Sequence, residues 1–310
     1  NVTSATTTTL NVDAGNLDPA VGGALTITGI ITTPVVGCGG GAFVNGQTDN
    51  DTFTFNPQTT TEFQLFGDAP VGVTPGDSLV MDITATTNPN LTVPGTIAPY
   101  SGVGSGAWSF TSPHQPVLFG SIELSTITGN YHLTYDNSAL AIGNLVVMRD
   151  SASPTANLQL RNGSTAGTIV YQSSMSSILS LRILGTAGND TVTVDDVNTL
   201  PNFGSTVPGV TDNANLAGTA ELLFDGLGGS DTLTYNINGA TASQQYAIGT
   251  GSEPGSAEGE IESIAAGVQI ITYFQNVEST QRTGSGATPG SLTIIGDLNA
   301  NAFSMQGSGA

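Results

Sequence analysis

Short segments of alternating apolar and polar residues recur along the second half of the chain. Alternation over this length is typical of β-strands with one buried face. The turn compositions DSASP and NGSTAG separate the first three segments, which predicts a β-meander. Helix signals are nearly absent, and only SSMSSILSLRIL (173–184) predicts a short helical turn. The segments are NLVVMR (144–149), NLQLR (157–161), TIVYQ (168–172), LSLRIL (179–184), TVTV (191–194), ELLF (221–224), TLTYNI (232–237), VQIITYF (268–274) and SLTII (291–295).

Three phrases from the first half of the chain return in the second half in the same order. Their offsets are 139, 154 and 155 residues, so small insertions account for the whole difference. Because the three matches stay in register, they indicate an internal duplication. The matching pairs are GQTDNDTFTF (46–55) with GTAGNDTVTV (185–194), TPGDSLVMDI (74–83) with GGSDTLTYNI (228–237), and SIELSTITG (121–129) with NVESTQRTG (276–284).

The duplication predicts an all-β chain made of two related units. We place a first, divergent unit at 1–135, a second unit at 136–284, and the start of a third unit or an assembly strand at 285–310. Two architectures fit this pattern, an elongated β-solenoid whose strands stack rung upon rung and a tandem pair of β-sandwiches. The Gly-, Ser- and Pro-rich stretches 94–106 and 250–260 are typical of surface loops.

Polarity in this chain comes from Thr, Ser, Asn and Gly more than from charge. Charged residues make up 9% of the 310, and the formal net charge is −20 with no lysine present. Without a basic footprint, binding to nucleic acid or to an anionic membrane surface is excluded. No run of 18 apolar residues exists, so no membrane span is predicted. The chain opens with Asn1 instead of Met, and we expect an extracellular or cell-surface protein that was processed or excised.

Acidic turns are the candidate metal sites. DGLGGSDTL (225–233) resembles the calcium-binding nonapeptide GGxGxDxUx of RTX-type β-rolls, in which glycines allow a sharp turn and oxygen atoms bind Ca²⁺. The resemblance implies possible calcium ligands at Asp225 and Asp231, at Asp190 in GTAGNDTVT, and at Asp51 in GQTDNDTFT. In β-rolls the motif forms an array, whereas these copies are isolated. The alternative is that each Asp accepts hydrogen bonds from N–H groups in its own turn.

The order of these phrases resembles that of long repeat proteins secreted by planctomycete-type bacteria. Those proteins carry GTAGNDT, DGGxGNDTL and ITYTxxE phrases, and residues 144–284 repeat that phrasing here. The resemblance implies an extracellular or cell-surface repeat region and implies no catalytic residue. No cofactor other than possible calcium is expected.

Catalytic constellations are not evident, so an enzyme is not predicted. The GxSxG, HExxH and P-loop motifs are absent, and His114 and His132 belong to no motif. Trp108, the single tryptophan, alternates in a way that suits core packing, with a sugar-stacking platform as the alternative. Cys38 is the only cysteine, so no intrachain disulfide forms.

A secreted structural surface or matrix protein that assembles with copies of itself is the function these features favour. The apolar segment LTIIGDL (292–298) resembles LTITGII (25–31), and we expect head-to-tail strand pairing between chains to give a filament or array. One alternative is an adhesin or carbohydrate-binding β-repeat module that binds an extracellular polysaccharide. A more distant one is a β-helix enzyme that degrades polysaccharide.

Overall fold

The computed structural model describes fifteen stretches of the chain, and its regular structure there is almost entirely β. This confirms the all-β prediction. The described residues are 11–13, 41–47, 52–59, 62–68, 77–97, 100–102, 104–122, 124–139, 142–151, 156–210, 219–237, 243–248, 259–265, 267–283 and 292–295.

Twenty-four strands and two short 3-10 helices are described. The first twelve strands are β1 (Asn11–Asp13), β2 (Gly41–Gln47), β3 (Thr52–Phe55), β4 (Glu62–Asp68), β5 (Ser78–Asp82), β6 (Thr87–Val93), β7 (Gly95–Ile97), β8 (Tyr100–Gly102), β9 (Gly106–Thr111), β10 (Val117–Gly120), β11 (Leu124–Thr128) and β12 (Tyr131–Asp136). The other twelve are β13 (Asn144–Arg149), β14 (Asn157–Asn162), β15 (Ile169–Ser174), β16 (Ile178–Leu184), β17 (Thr191–Asp195), β18 (Ala220–Asp225), β19 (Thr232–Asn236), β20 (Ser243–Ile248), β21 (Gly259–Ala265), β22 (Val268–Gln275), β23 (Ser279–Thr283) and β24 (Leu292–Ile295). The 3-10 helices are Asn137–Ala139 and Met175–Ser177, and the second confirms the predicted helical turn.

Contacts divide the chain into two compact units. The first contains residues 1–142 and 173–186, and the second contains residues 143–172 and 187–310. In the first unit one sheet has the order β1-β2-β4-β10-β9-β6-β12-β16, and smaller sheets join β11-β5-β3 and β7-β8. In the second unit one sheet has the order β18-β22-β21-β20-β24, and another has the order β15-β14-β13-β17-β19-β23.

The same sequence of strand pairings occurs in both units. In the first unit β3, β5 and β11 pair in parallel, as do β4 with β10 and β6 with β12, while β9 pairs antiparallel with both β10 and β6. In the second unit β17, β19 and β23 pair in parallel, as do β18 with β22 and β20 with β24, while β21 pairs antiparallel with both β22 and β20. Each unit therefore combines parallel strand pairs with an antiparallel three-strand element.

Strand registers reproduce the offsets between the matching sequence phrases. Thr52 pairs with Ser78, which pairs with Leu124, and the corresponding row of the second unit is Thr191–Thr232–Ser279. Corresponding residues of these two rows differ by 139, 154 and 155 positions (191 − 52, 232 − 78 and 279 − 124). The duplicated phrases thus occupy equivalent places in the two units.

Alternation in the sequence becomes alternation between core and surface. In β17 the side chains of Val192 and Val194 are buried, and in β19 the buried pair is Leu233 and Tyr235. The intervening threonines remain partly exposed. Each buried side chain of this size contributes about 1.5–3 kcal/mol, which is why the pattern selects one face of the sheet.

Two stretches predicted as surface loops contain strands. The stretch 94–106 includes β7 and β8, which pair antiparallel, and the end of 250–260 begins β21. The glycine and proline residues in these stretches predicted loops, but short antiparallel strand pairs tolerate such residues near their turns. Trp108 on β9 is only 1% exposed and makes an edge-to-face contact with Tyr131, so its ring belongs to the core.

Candidate functional site: the acidic turns

Acidic residues directly precede the three parallel strands β17, β19 and β23. They are Asp190, Asp231 and Glu278. Backbone hydrogen bonds run between these turns: Thr232 N donates to Asp190 O over 2.9 Å, and Ser279 N donates to Asp231 O over 3.0 Å. The turns therefore lie side by side at one edge of the sheet, in the same order as the strands that they precede. Each acidic residue lies next to the turn of a neighbouring strand.

The acidic side chains accept hydrogen bonds from the neighbouring turn. Oδ1 of Asp231 accepts from Asp190 N at 2.7 Å, and Oε2 of Glu278 accepts from Asp231 N at 2.6 Å. The amide oxygen of Asn189 likewise accepts from Ser230 N at 2.9 Å. At Oδ1 of Asp231 and Oε2 of Glu278, the hydrogen bonds thus join neighbouring turns, whereas the sequence suggested bonds within one turn. Parallel stacking explains the difference, because it brings the N–H of one rung within reach of the carboxylate of the next.

Asp225, at the end of β18, behaves as expected for a turn residue. Its Oδ1 accepts from Leu227 N at 3.1 Å and from Asn276 Nδ2 at 2.8 Å, and its Oδ2 accepts from Gln275 Nε2 at 2.5 Å. Leu227 has a positive φ of 66° at the position where the calcium motif has glycine. The carboxylate thus joins the end of β18 to the end of β22.

The second carboxylate oxygen of Asp231 faces backbone instead of a hydrogen-bond donor. Asp231 is 0% exposed, and its Oδ2 has no hydrogen-bond partner among the described residues. A Cβ built on Gly226 would lie 2.3 Å from this oxygen and 2.2 Å from the carbonyl oxygen of Asn276. Burial raises the pKa of Asp231, and the nearby carboxylates of Asp190, Glu278 and Asp225 raise it further.

The first unit contains the same arrangement around Asp77. This residue is also 0% exposed, and a Cβ on Gly67 would lie 2.3 Å from its Oδ2 and 2.1 Å from the carbonyl oxygen of Ser121. Ser121 and Asn276 both have a positive φ of 54°. A buried aspartate, a glycine and a left-handed residue therefore form one structural motif that occurs in both units.

Several carboxylate oxygens of the acidic turns accept hydrogen bonds from N–H groups of the protein, which would compete with a metal ion for them. Within the described residues, no group of three or more His, Cys, Asp or Glu side chains is placed to hold an ion. Oδ1 of Asp231 and both carboxylate oxygens of Asp225 accept from N–H donors. Asp190 is buried, and Asp51 lies outside the described residues. Calcium binding at these four residues remains a prediction.

Three further features singled out in the sequence are His132, Cys38 and the segment 25–31, and of these only His132 lies within the described residues. His132 on β12 is buried, its Nδ1 lies 2.7 Å from Ser180 Oγ, and burial lowers its pKa. Cys38 and the segment 25–31 lie outside the described residues. In the described part of the chain, no helix is long and apolar enough to cross a membrane.

Two of the acidic residues described above, Asp77 and Glu278, were not predicted as site residues from the sequence. The signal was present in the duplication: Asp77 aligns with Asp231, and Glu278 aligns with Glu123, which lies outside the described residues. Searching for residues retained in both copies would have found them.

No known protein family, curated protein or solved structure matches this chain. Its function is therefore argued from its own repeats and surfaces.

Proposed function

We propose that this chain is a secreted structural protein of a cell surface or extracellular matrix, and that it assembles end to end with copies of itself. The observation that supports the proposal is the pairing of β24. This strand pairs in parallel with β20, as β12 pairs in parallel with β6. β12 has a second parallel partner, β16, whereas β24 pairs with no other described strand.

The surface that would receive β24 is the edge of β2. β2 pairs in parallel with β1, and β16 pairs in parallel with β12. The two pairings correspond in register. Asn11 pairs with Phe43, and Thr134 pairs with Arg182. Arg182 follows Phe43 by 139 residues, which is also the offset between the duplicated phrases 46–55 and 185–194. β1, β12 and β24 are thus three versions of the same strand.

Strand exchange is the mechanism that follows from this equivalence. β24 of one copy would take the place of the three-residue strand β1 beside β2 of the next copy. Backbone N–H and C=O groups along the strand edge supply the binding energy, as in other strand additions. Because the two edges differ, the contact is heterologous and propagates into a filament or array.

Deletion of residues 285–310 tests the proposal directly. We expect the full 310-residue chain to form concentration-dependent polymers in light scattering and electron microscopy, and the truncated chain to remain unassembled. In a Cys38→Ser background, the double variant Ile295→Cys, Phe43→Cys should also form intermolecular disulfides. Ile295 of β24 corresponds to Thr134 of β12, and Phe43 of β2 corresponds to Arg182 of β16. Because Thr134 pairs with Arg182, the two cysteines would lie opposite each other. Ile295→Cys with Val80→Cys is the mismatched control.

Polymers that persist after the deletion would contradict assembly through β24. A full-length chain that stays monomeric at every concentration would also contradict it, and would favour a longer protein in which the next repeat completes the pairing covalently. Cross-links that form equally well with Val80→Cys would mean that the contact is not specific for β2.

A further inference from the structure

Six uncharged polar side chains lie on the outer side of β17, β19 and β23. Thr191 pairs with Thr232, which pairs with Ser279, and two residues further along Thr193 pairs with Thr234, which pairs with Gln281. We call these six residues the threonine face. The rows cross the strands, so one polar side chain follows another at the spacing of neighbouring strands, about 4.8 Å.

The side chains of the threonine face point away from the core and are available. Each of the six is partly or fully exposed, while the residues between them along β17 and β19 are buried. None of the four threonine hydroxyls has a hydrogen bond to another described residue. β-Branching restricts χ1 of each threonine, so the hydroxyl and methyl groups are held in a regular arrangement.

The threonine face is neutral although the chain carries a net charge of −20. Of the carboxylates that flank these strands, Glu278 beside Ser279 is exposed, whereas Asp190, Asp231 and Asp195 are buried. Asp195 lies at the end of β17 and is 2% exposed. Its oxygens accept from Val197 N at 2.7 Å and from Asn236 Nδ2 at 2.5 Å. An acidic polymer would be repelled by the net negative charge of the molecule, and the six residues themselves offer a basic polymer no ion-pair partner.

We propose that the threonine face binds an uncharged, extended polysaccharide chain lying across the strands. An extended β-linked glycan advances by one sugar over nearly the spacing of neighbouring strands, so each strand meets one sugar. Hydroxyl and amide groups on the protein then exchange hydrogen bonds with hydroxyl groups on the sugars. The exposed large apolar side chains of the described residues are Ile169, Val197 and Leu227, none of them aromatic, so hydrogen bonds carry recognition here.

The corresponding surface of the first unit lacks a continuous polar row. There the row equivalent to Thr193–Thr234–Gln281 is Thr54–Val80–Thr126. Val80 interrupts the hydroxyl groups at the middle strand, so the proposed site belongs to the second unit. The interruption also supplies a natural precedent for valine at this position, because Val80 occupies the same place in an equivalent strand.

The test is co-sedimentation of the purified chain with insoluble cellulose and with chitin, both extended and β-linked. Starch granules, which are α-linked and coiled, serve as the polymer control. We expect binding to at least one β-linked polymer. Because the six residues are uncharged, this binding should be nearly unchanged between low salt and 0.5 M salt, at which the Debye length falls to about 4 Å. The double variant Thr193→Val with Thr234→Val should bind roughly tenfold more weakly, since two hydroxyl hydrogen bonds are lost.

Matched variants in the first unit complete the experiment. Thr54→Val with Thr126→Val removes the same number of hydroxyl groups and should leave binding unchanged, and Val80→Thr should increase it by completing a second row. Circular dichroism and melting temperature confirm that each variant is folded.

Several outcomes would overturn the proposal. They are absence of binding to both β-linked polymers, equal binding to starch, strong weakening by salt, or a Thr193→Val, Thr234→Val variant that binds like the parent chain. Loss of self-association in that variant without any effect on glycan binding would assign the face to a second copy of the chain. Because the Thr variants leave β24 intact, a negative result here is independent of end-to-end assembly.

Discussion

The backbone N–H of Asp190 donates a 2.7 Å hydrogen bond to Oδ1 of Asp231, which follows it by 41 residues. Asp231 in turn donates its own N–H to Glu278 before the next strand. The side chains of Asp231 and Glu278 thereby each bind the turn that precedes the neighbouring strand. This role concerns cohesion between strands and needs no metal ion or chemical step.

Removing the Asp231 carboxylate should weaken the fold. Asp231→Ala leaves the Asp190 N–H buried without an acceptor, so we expect a loss of about 1–3 kcal/mol in the free energy of unfolding. Asp190→Ala should cost a similar amount. Urea denaturation at neutral pH measures both. A folded Asp190→Ala chain with unchanged stability that has lost a specific ligand would instead assign Asp190 to a binding site.

Stability should depend on pH through Asp231. Its pKa is raised in the folded chain, so the folded state holds this proton more strongly than the unfolded state. The stabilising contribution is therefore complete at low pH and is lost as pH rises through the folded pKa. Asp231→Asn keeps an oxygen for Asp190 N and places a neutral amide where Oδ2 has no hydrogen-bond partner among the described residues. The variant should gain stability relative to the parent as pH rises from 4 to 8.

Asp225→Asn is the matched control for that experiment. The carboxylate of Asp225 accepts from Leu227 N, Asn276 Nδ2 and Gln275 Nε2, so an amide NH₂ there would face donors. We expect this variant to lose about 1–3 kcal/mol at neutral pH. Equal losses for Asp231→Asn and Asp225→Asn at every pH would show that Asp231 is required in its charged form.

The glycines beside the buried aspartates should not tolerate a side chain. A Cβ at Gly226 would lie 2.2 Å from a backbone oxygen, and one at Gly67 would lie 2.1 Å from another. Gly226→Ala and Gly67→Ala should therefore each cost at least about 1–3 kcal/mol through overpacking. Gly228→Ala lies in the same turn as Gly226, but its Cβ would approach nothing closer than 3.9 Å. If Gly228→Ala destabilises as much as Gly226→Ala, steric contact is the wrong explanation.

Calcium should be at most a modest stabiliser. N–H donors already occupy Oδ1 of Asp231 and both oxygens of Asp225, so ion binding would compete with these hydrogen bonds. At a calcium concentration equal to the dissociation constant, binding adds only about 0.4 kcal/mol. Melting curves with millimolar calcium and with a chelator should nearly coincide. Unfolding on chelation would reveal a site that the fold depends on.

Local sequence pattern was sufficient to predict most strands of the second unit. TVTV, TLTYNI and ELLF became β17, β19 and β18, because alternation selects which side chains face the core regardless of which strand lies alongside. The duplicated phrases also occupy equivalent registers. What these patterns share is that they depend on residues close together in the chain or on comparison of its two halves.

Strands β20 and β21 were missed for a tertiary reason. Their sequences SQQYAI and GEIESIA contain polar residues where a buried strand usually has apolar ones, yet Glu260 and Glu262 on β21 are buried. Glu262 accepts a hydrogen bond from Gln269, so its burial depends on a partner from the adjacent strand β22. Alternation of apolar and polar residues cannot indicate such a strand. The buried carboxylate needs a hydrogen-bond donor, and only folding brings the donor on the neighbouring strand close to it.

Only the tertiary structure decided which groups the acidic turns contact. The sequence placed Asp190 and Asp231 at the ends of glycine-containing turns, which is compatible with calcium binding and with hydrogen bonding inside one turn. Parallel pairing of β17 with β19 adds a contact between two turns, by placing the Asp190 N–H against the Asp231 carboxylate. Chain composition determines which groups need partners, whereas the alignment of distant strands determines which partner each group reaches.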